Sequence, residues 1–209
     1  MKIPFHRPHI TQNEIDSVVE TMQSGWLTMG PKTIEFEIAF KKYIGSQFAI
    51  GVNSATAALH LALNAVDVGI GNEVIIPTNT FIATAEAVVY SGARPVLCDI
   101  EYKTHNMNPY LIEELITPRT KAIIPVHFGG IPCNMDQISK IAYKYNLKVI
   151  EDAAHALPSF YKNKIISTFS DVVCFSFYAT KTLSTGEGGM VTTNNKKIAE
   201  KVKLQGYMV

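Results

Sequence analysis

The 209-residue sequence has no surplus of charge: 19 Lys and Arg face 18 Asp and Glu, a net charge of +1. So even a balance leaves no basic or acidic field with which to hold nucleic acid or an anionic membrane surface. Long apolar runs are missing too, and none approaches the roughly 20 residues that a membrane-spanning helix needs. The opening MKIPFHRPHI has no apolar leader core. Cysteine is scarce. Cys98, Cys133 and Cys174 are widely spaced, odd in number and form no CxxC pair, which predicts reduced thiols in a cytoplasmic protein. His6, His9, His60 and His105 show no metal-ligand spacing with one another or with the cysteines, so no metal site is expected. Core-forming residues are plentiful. A hydrophobic content of 47% excludes disorder, and the length suffices for one sizeable core.

The apolar residues come in short runs at 48–52, 73–77, 95–100, 122–126, 149–152, 172–177 and 190–193. Helical patterns fit between most of them, at 55–66, 82–91, 109–116 and 135–145, with another at 196–205. Two helices precede the first run. Thr11-Gln12-Asn13-Glu14 is a capping-box pattern for a helix closing near Gly25. Pro31 opens a second, with Ile34, Phe36, Ile38, Ala39 and Phe40 as its apolar positions and Gly45 as its end. Strands alternating with helices predict an α/β fold: a three-layer αβα arrangement around a mostly parallel sheet. No repeat or linker divides the chain.

In such sheets ligands bind outside the carboxyl ends of the strands, and the chemistry-bearing residues gather there. Asn53-Ser54-Ala55-Thr56-Ala57-Ala58 follows a strand and opens a helix, whose first amides and hydroxyls can hold a phosphate. Thr80-Phe81 follows the second run, Glu151-Asp152-Ala153-Ala154-His155 ends another, and Ser176 to Lys181 ends a further one. Each piece alone reads as an ordinary cap, turn or core residue, and a lone loop lysine is ordinarily just exposed. Together they supply a phosphate cradle, an aromatic plate, a carboxylate and an amine, which are what pyridoxal 5′-phosphate requires. The amine forms a Schiff base with the cofactor aldehyde, and the carboxylate keeps the pyridine nitrogen protonated. Desolvation would lower the Lys181 pKa and leave a free amine. Ala179, Thr180 and Thr182 leave room around it, and Gly186, Gly188 and Gly189 permit close approach and a tight reversal.

At these residues the sequence resembles the DegT/DnrJ-type (DegT/DnrJ/EryC/StrS) sugar aminotransferases, pyridoxal-phosphate enzymes of fold type I. The ordered series runs through Ile3-Pro4-Phe5, Arg7-Pro8, Gly25-Trp26-Leu27, Gly30-Pro31, Phe36-Glu37, Ser54-Ala55-Thr56-Ala57-Ala58-Leu59, Pro77 and Thr80-Phe81. It continues with Ala83-Thr84, Pro125-Val126-His127, Glu151-Asp152-Ala153-Ala154-His155-Ala156, Ser176-Phe177, Thr180-Lys181 and Gly186-Glu187-Gly188-Gly189. The resemblance implies Lys181 as the Schiff-base lysine and proton shuttle, and Asp152 as the partner of the pyridine nitrogen. It implies Phe81 stacked on the ring, and Thr56, Ala57 and Ser176 on the phosphate. His155 stands where many members have glutamine near the cofactor's phenolic oxygen. His127 is expected to support the site structurally. A related branch that deoxygenates sugars carries histidine at the lysine position, so Lys181 implies transamination, with glutamate as donor and a nucleotide-linked keto-sugar as acceptor.

Family members continue for a comparable length. Residues 1–209 are therefore expected to be an incomplete large domain lacking the C-terminal small domain. The alternative expectation is a non-catalytic remnant, or a subunit needing a complementary C-terminal chain; another fold-type-I enzyme, such as a cysteine desulfurase, ranks lower. The resemblance also implies a homodimer, and the chain alone is expected to be dimeric or aggregation-prone and to gain little thermal stability from the cofactor. No final element is expected after Gly206-Tyr207-Met208-Val209.

Overall fold

The computed structural model describes residues 3–4, 6–166 and 169–206; Phe5 and Tyr207-Met208-Val209 lie outside the described residues. The chain opens with α1 (Gln12–Gln23) and α2 (Pro31–Ile44), then alternates β1 (Phe48–Val52), α3 (Ala55–Ala65), β2 (Glu73–Pro77), α4 (Ile82–Tyr90) and β3 (Arg94–Cys98). A 3-10 turn at Pro109–Leu111 runs into α5 (Ile112–Leu115), followed by β4 (Thr120–Ile123), a 3-10 turn at Phe128–Gly130, α6 (Met135–Tyr145) and β5 (Lys148–Asp152). A small hairpin of β6 (Phe160–Tyr161) and β7 (Lys164–Ile165) precedes β8 (Val172–Ser176), β9 (Gly189–Thr193) and α7 (Lys196–Gly206).

Seven strands form one sheet in the order β1-β9-β8-β5-β4-β2-β3. The β3-β2, β2-β4, β4-β5 and β5-β8 pairs are parallel, while β9 runs antiparallel to both β8 and β1. The strands read as continuous apolar runs because helices cover both faces. Alternate residues of the strands sort cleanly. Ile50, Val74, Ile76, Ile150, Val172, Cys174 and Val191 face α3, α4 and α7, packing with Leu59, Leu63, Val88, Ile198 and Val202. Ile75, Ile123 and Val149 face the other way, against Ile112 of α5 and Ile138 and Ile141 of α6. On that second face Val173, Phe175 and Met190 pack with α2, where Phe40 meets the Phe175 and Phe177 rings edge-on at 5.2 and 5.4 Å. The expected three-layer αβα fold with a mostly parallel sheet is present.

The helix ends follow the sequence. Glu14 accepts from the Thr11 amide at 2.6 Å, and Gly45 closes α2 in the left-handed region. The predicted helix at 109–116 is only the 3-10 turn and one α turn. Within α2, Phe40 and Ile44 turn inward, leaving Ile34 and Ile38 exposed. Helix α1 buries none of its residues, so Ile15, Val18, Val19 and Met22 form an uncovered apolar face. Among the described residues no helix is long and apolar enough to cross a membrane.

Candidate functional site

The alternation that sorts the core also aims the site. Ile150 of β5 faces α3 and α4, so Asp152, two residues on, projects to the same side, and Glu151 projects to the other. The Asp152 carboxylate is 5% exposed. Its Oδ2 accepts from Thr84 Oγ1 of α4 at 2.8 Å, and its Oδ1 accepts from the Ala154 amide at 3.1 Å. The next parallel strand, β8, ends at Ser176, whose hydroxyl accepts from the Tyr178 amide at 3.3 Å. The loop beyond is pinned at both ends. The Lys181 amide donates to the Tyr178 carbonyl (2.9 Å), and the Thr185 amide donates to the Phe177 carbonyl (2.9 Å). Within the loop the Thr182 hydroxyl donates to the Leu157 carbonyl, tying it to the segment that carries His155.

Lys181 is half-buried. Burial pushes its ammonium pKa down, opposed by the charge of Asp152. The exposed His155 is lowered as well, first by desolvation and then by the Lys181 cation, with Asp152 acting in the other direction. The three side chains therefore lie within one another's fields at the ends of β5 and β8. Burial favours the neutral amine, the form that acts as nucleophile or base, while the Asp152 carboxylate favours the ammonium.

The start of α3 sits beside this cluster because of one glycine. Gly189 pairs with Ser176 across β8-β9 and with Val52 across β1-β9. A Cβ on Gly189 would stand 2.5 Å from the Ser54 carbonyl carbon and oxygen and 2.8 Å from the Ala55 nitrogen, so only glycine lets the strand pass. The result places Ser176 next to the first turn of α3. There Ser54 caps the helix by accepting from the Ala57 amide at 3.1 Å, and Thr56 follows, half-buried. Phe81 is the N-cap of α4 and leaves its ring 75% exposed.

The structure thus gathers Lys181, Asp152 and His155 in one cluster, sets Thr56, Ala57 and Ser176 around the Gly189 crossing, and puts Phe81 one turn from the Thr84 that holds Asp152. Sequence reasoning missed Thr84 as the partner of that carboxylate and Thr80 behind it, with Thr80 Oγ1 2.6 Å from Thr84 Oγ1. It also missed the Glu151–His127 pair. Both side chains are fully buried, with His127 Nε2 2.7 Å from Glu151 Oε2. Burial opposes a charged ring here and Glu151 favours one. The Cys133 amide decides the matter by donating to Nδ1 at 3.1 Å, which leaves Nε2–H to donate to the carboxylate from a neutral imidazole. The only signal for either partnership was position after a strand or in a first helical turn.

The sequence pattern of the DegT/DnrJ/EryC1/StrS aminotransferase family matches residues 8–207. The chain belongs to this family. Among its DegT/DnrJ relatives, the spore coat polysaccharide biosynthesis protein SpsC of Bacillus subtilis is 48% identical over 97% of this chain and 52% of its own length. The GDP-perosamine synthase of Caulobacter vibrioides is 47% identical over 97% of this chain and 55% of its own. The PLP-form and PMP-form of Spr1654 from Streptococcus pneumoniae each superimpose with a TM-score of 0.93 at 36% identity, covering 98% of this chain and 57% of theirs. The chain spans about half the length of the curated relatives it matches.

Two surface hollows of this DegT/DnrJ chain lie away from the cluster. One of about 370 Å³ is at the opposite end of β5 and β8, beside Leu147, Lys148, Phe169 and Asp171. Another, of about 230 Å³, is lined by Trp26, Leu27, Gly30 and Thr33. There the Trp26 ring lies directly over Gly30, where a Cβ would come within 1.8 Å of it.

Proposed function

We propose that this chain is the cofactor-binding half of a pyridoxal-phosphate-dependent aminotransferase. Its reaction moves an amino group from glutamate to a keto group of a nucleotide-linked sugar, in polysaccharide or amino-sugar biosynthesis, in the cytoplasm. The observation that carries this reading is the convergence of Lys181, Asp152 and His155 just beyond and at the ends of the paired parallel strands β5 and β8, set beside the capped start of α3. A sugar substrate is supported by the relatives SpsC and GDP-perosamine synthase, and the second supports a nucleotide-linked one.

The residues fit the cofactor. The first turn of α3, around Thr56 and Ala57, presents amide N–H groups to a phosphate, and Ser176 adds a hydroxyl from across the Gly189 crossing. Among the described residues the Asp152 carboxylate accepts two hydrogen bonds, so it keeps capacity for a pyridine N–H. Phe81 offers an exposed ring face for stacking, and His155 an imidazole N–H for an oxygen. When bound, pyridoxal phosphate supplies an electron sink at the carbon that gains or loses the amino group. Lys181 Nζ would hold the cofactor covalently and would carry the proton between donor and acceptor positions, a task suited to an amine with a lowered pKa.

Incubation with pyridoxal phosphate should give a visible absorption band, and borohydride should then fix the added mass on Lys181. Lys181→Ala should lose both while keeping the parent melting temperature. An unmodified Lys181 after reduction sinks the proposal.

A second reading is favoured by the uncovered α1 face, Ile15, Val18, Val19 and Met22: activity requires assembly, as a homodimer or with a chain carrying the other half of the family's length. Under it, the chain alone binds cofactor weakly, and co-expression with the second half of a relative such as SpsC restores the band. Full activity of the chain alone overturns this reading.

A further inference from the structure

We infer that Thr80 and Thr84 form a one-way hydroxyl relay that aims Asp152, making the entry to α4 a positioning unit for the cofactor ring. The inference rests on the proposed function and concerns residues to which that reading gives no role.

The direction of the relay follows from proton counting. An ionised carboxylate only accepts, so the single Thr84 hydroxyl proton goes to Asp152 Oδ2 at 2.8 Å. Thr84 must then be the acceptor in its 2.6 Å contact with Thr80 Oγ1, and Thr80 the donor. The chain reads Thr80 O–H to Thr84 O–H to Asp152 Oδ2, and hydrogen bonds aligned in this way strengthen one another. Thr84 is fully buried, so no solvent competes for its proton. On the other oxygen the Ala154 amide donates at 3.1 Å. Two donors, one per oxygen and from different elements, fix the plane of the carboxylate. Its remaining lone pairs are left for a ligand.

The same turn carries the aromatic plate. Thr84 N–H donates to the Phe81 carbonyl at 3.1 Å, so Thr80, Phe81 and Thr84 form one rigid piece of backbone. A shift of this turn moves the stacking face and the carboxylate together. Thr84 is thus a positioning residue: it acts on the cofactor through Asp152. The methyl group of Thr84 belongs to the core, but the hydroxyl has no packing task that valine could not perform.

The test compares Thr84→Val, Thr84→Ser and Thr80→Val with the parent by three readouts: titration of pyridoxal phosphate, melting without cofactor, and the Asp152 side-chain rotamer in crystals grown without cofactor. Thr84→Val is expected to weaken cofactor binding about tenfold, the scale set by one unsatisfied buried acceptor, and to release Asp152 from its rotamer. Thr84→Ser, which keeps the hydroxyl, should bind within about twofold of the parent, and Thr80→Val should be weakened by about threefold, the smaller loss expected when only the outer bond of the relay is removed. Parent-like binding by Thr84→Val, or Thr84→Ser as weak as the valine variant, overturns the inference. If Thr84→Val does not fold, Thr80→Val decides, since Thr80 is only half-buried; parent-like binding there overturns the relay. A parent that binds no pyridoxal phosphate would instead sink the proposed function. The rotamer of Asp152 would still decide the relay, an unmoved carboxylate in Thr84→Val counting against it.

Discussion

Glu73 and Glu151 sit on β2 and β5 of the same sheet, both almost wholly removed from water, and they are treated in opposite ways. Glu73, at the amino end of its strand, is saturated. Thr117 Oγ1 donates to one oxygen at 2.6 Å, while Arg94 Nη2 at 2.7 Å and Arg119 Nε at 2.9 Å donate to the other. These partners, the Thr117 hydroxyl first and the Arg94 guanidinium next, outweigh burial and hold its pKa down to about 2. Glu151, near the carboxyl end, has His127 as its one side-chain partner among the described residues, and its Oε1 has none there. One residue on, Asp152 is again only partly occupied. The amino end of the sheet spends its polar groups on each other, whereas the carboxyl end leaves valence open, which is where a ligand would be received.

The contrast predicts that the sparsely held carboxylate is the more fragile. His127→Leu removes the one side-chain donor to Glu151 among the described residues and leaves its buried carboxyl group unpartnered, at a cost of about 1–3 kcal/mol. The double variant His127→Leu/Glu151→Leu removes the unpartnered group too and should recover part of that loss. Urea unfolding measures both. A single variant as stable as the parent, or a double variant less stable than the single, would break the comparison.

What the sequence revealed follows the same division between local and long-range causes. The strands were legible because burial on both faces makes them continuous apolar runs, and α2 because Pro31 and Gly45 bracket it. Asp152, Ser176 and Lys181 were legible because strand ends in an open α/β sheet converge. The contact between Thr84 and Asp152 joins residues 68 apart in sequence, and nothing in a threonine within a helix announces its partner. Glu151 reads as strand, and only its alternation with Asp152 separates their faces. In α2, apolar residues occupy both sides, so periodicity did not show that Ile34 and Ile38 stay outside. The β6-β7 hairpin escaped notice because each strand has two residues, and its turn uses Lys162 and Asn163 at positive φ without glycine.

The saturated end makes a smaller, pH-dependent prediction. Glu73 has an ordinary pKa of 4.5, lowered in the fold to about 2. A depressed carboxylate contributes stability that is fully present above the unfolded value and is lost as pH falls through the folded one. The parent should therefore weaken between about pH 4.5 and 2, and Glu73→Gln, which carries no titrating carboxylate, should show a flatter decline over that window. Identical slopes for the two proteins would remove Glu73 as a source of the acid sensitivity.

The smallest effect belongs to an ion pair that has neither burial nor saturation. Asp67 Oδ1 lies 2.5 Å from Lys201 Nζ, with side chains 74% and 43% exposed, and the Lys201 hydrogen bond lowers the Asp67 pKa. Water screens such a pair and ordering the long lysine offsets its attraction, so its contribution is on the order of 0–1 kcal/mol. Asp67→Asn isolates this charge. The backbone at position 67 has a φ of +61°, a region that asparagine tolerates as readily as aspartate, so the substitution adds no strain. The expected change is within about 0.5 kcal/mol at physiological ionic strength, shrinking as salt is added. A loss comparable to that of His127→Leu would mean that proximity alone, rather than burial and the count of donors, sets what a carboxylate contributes in this fold.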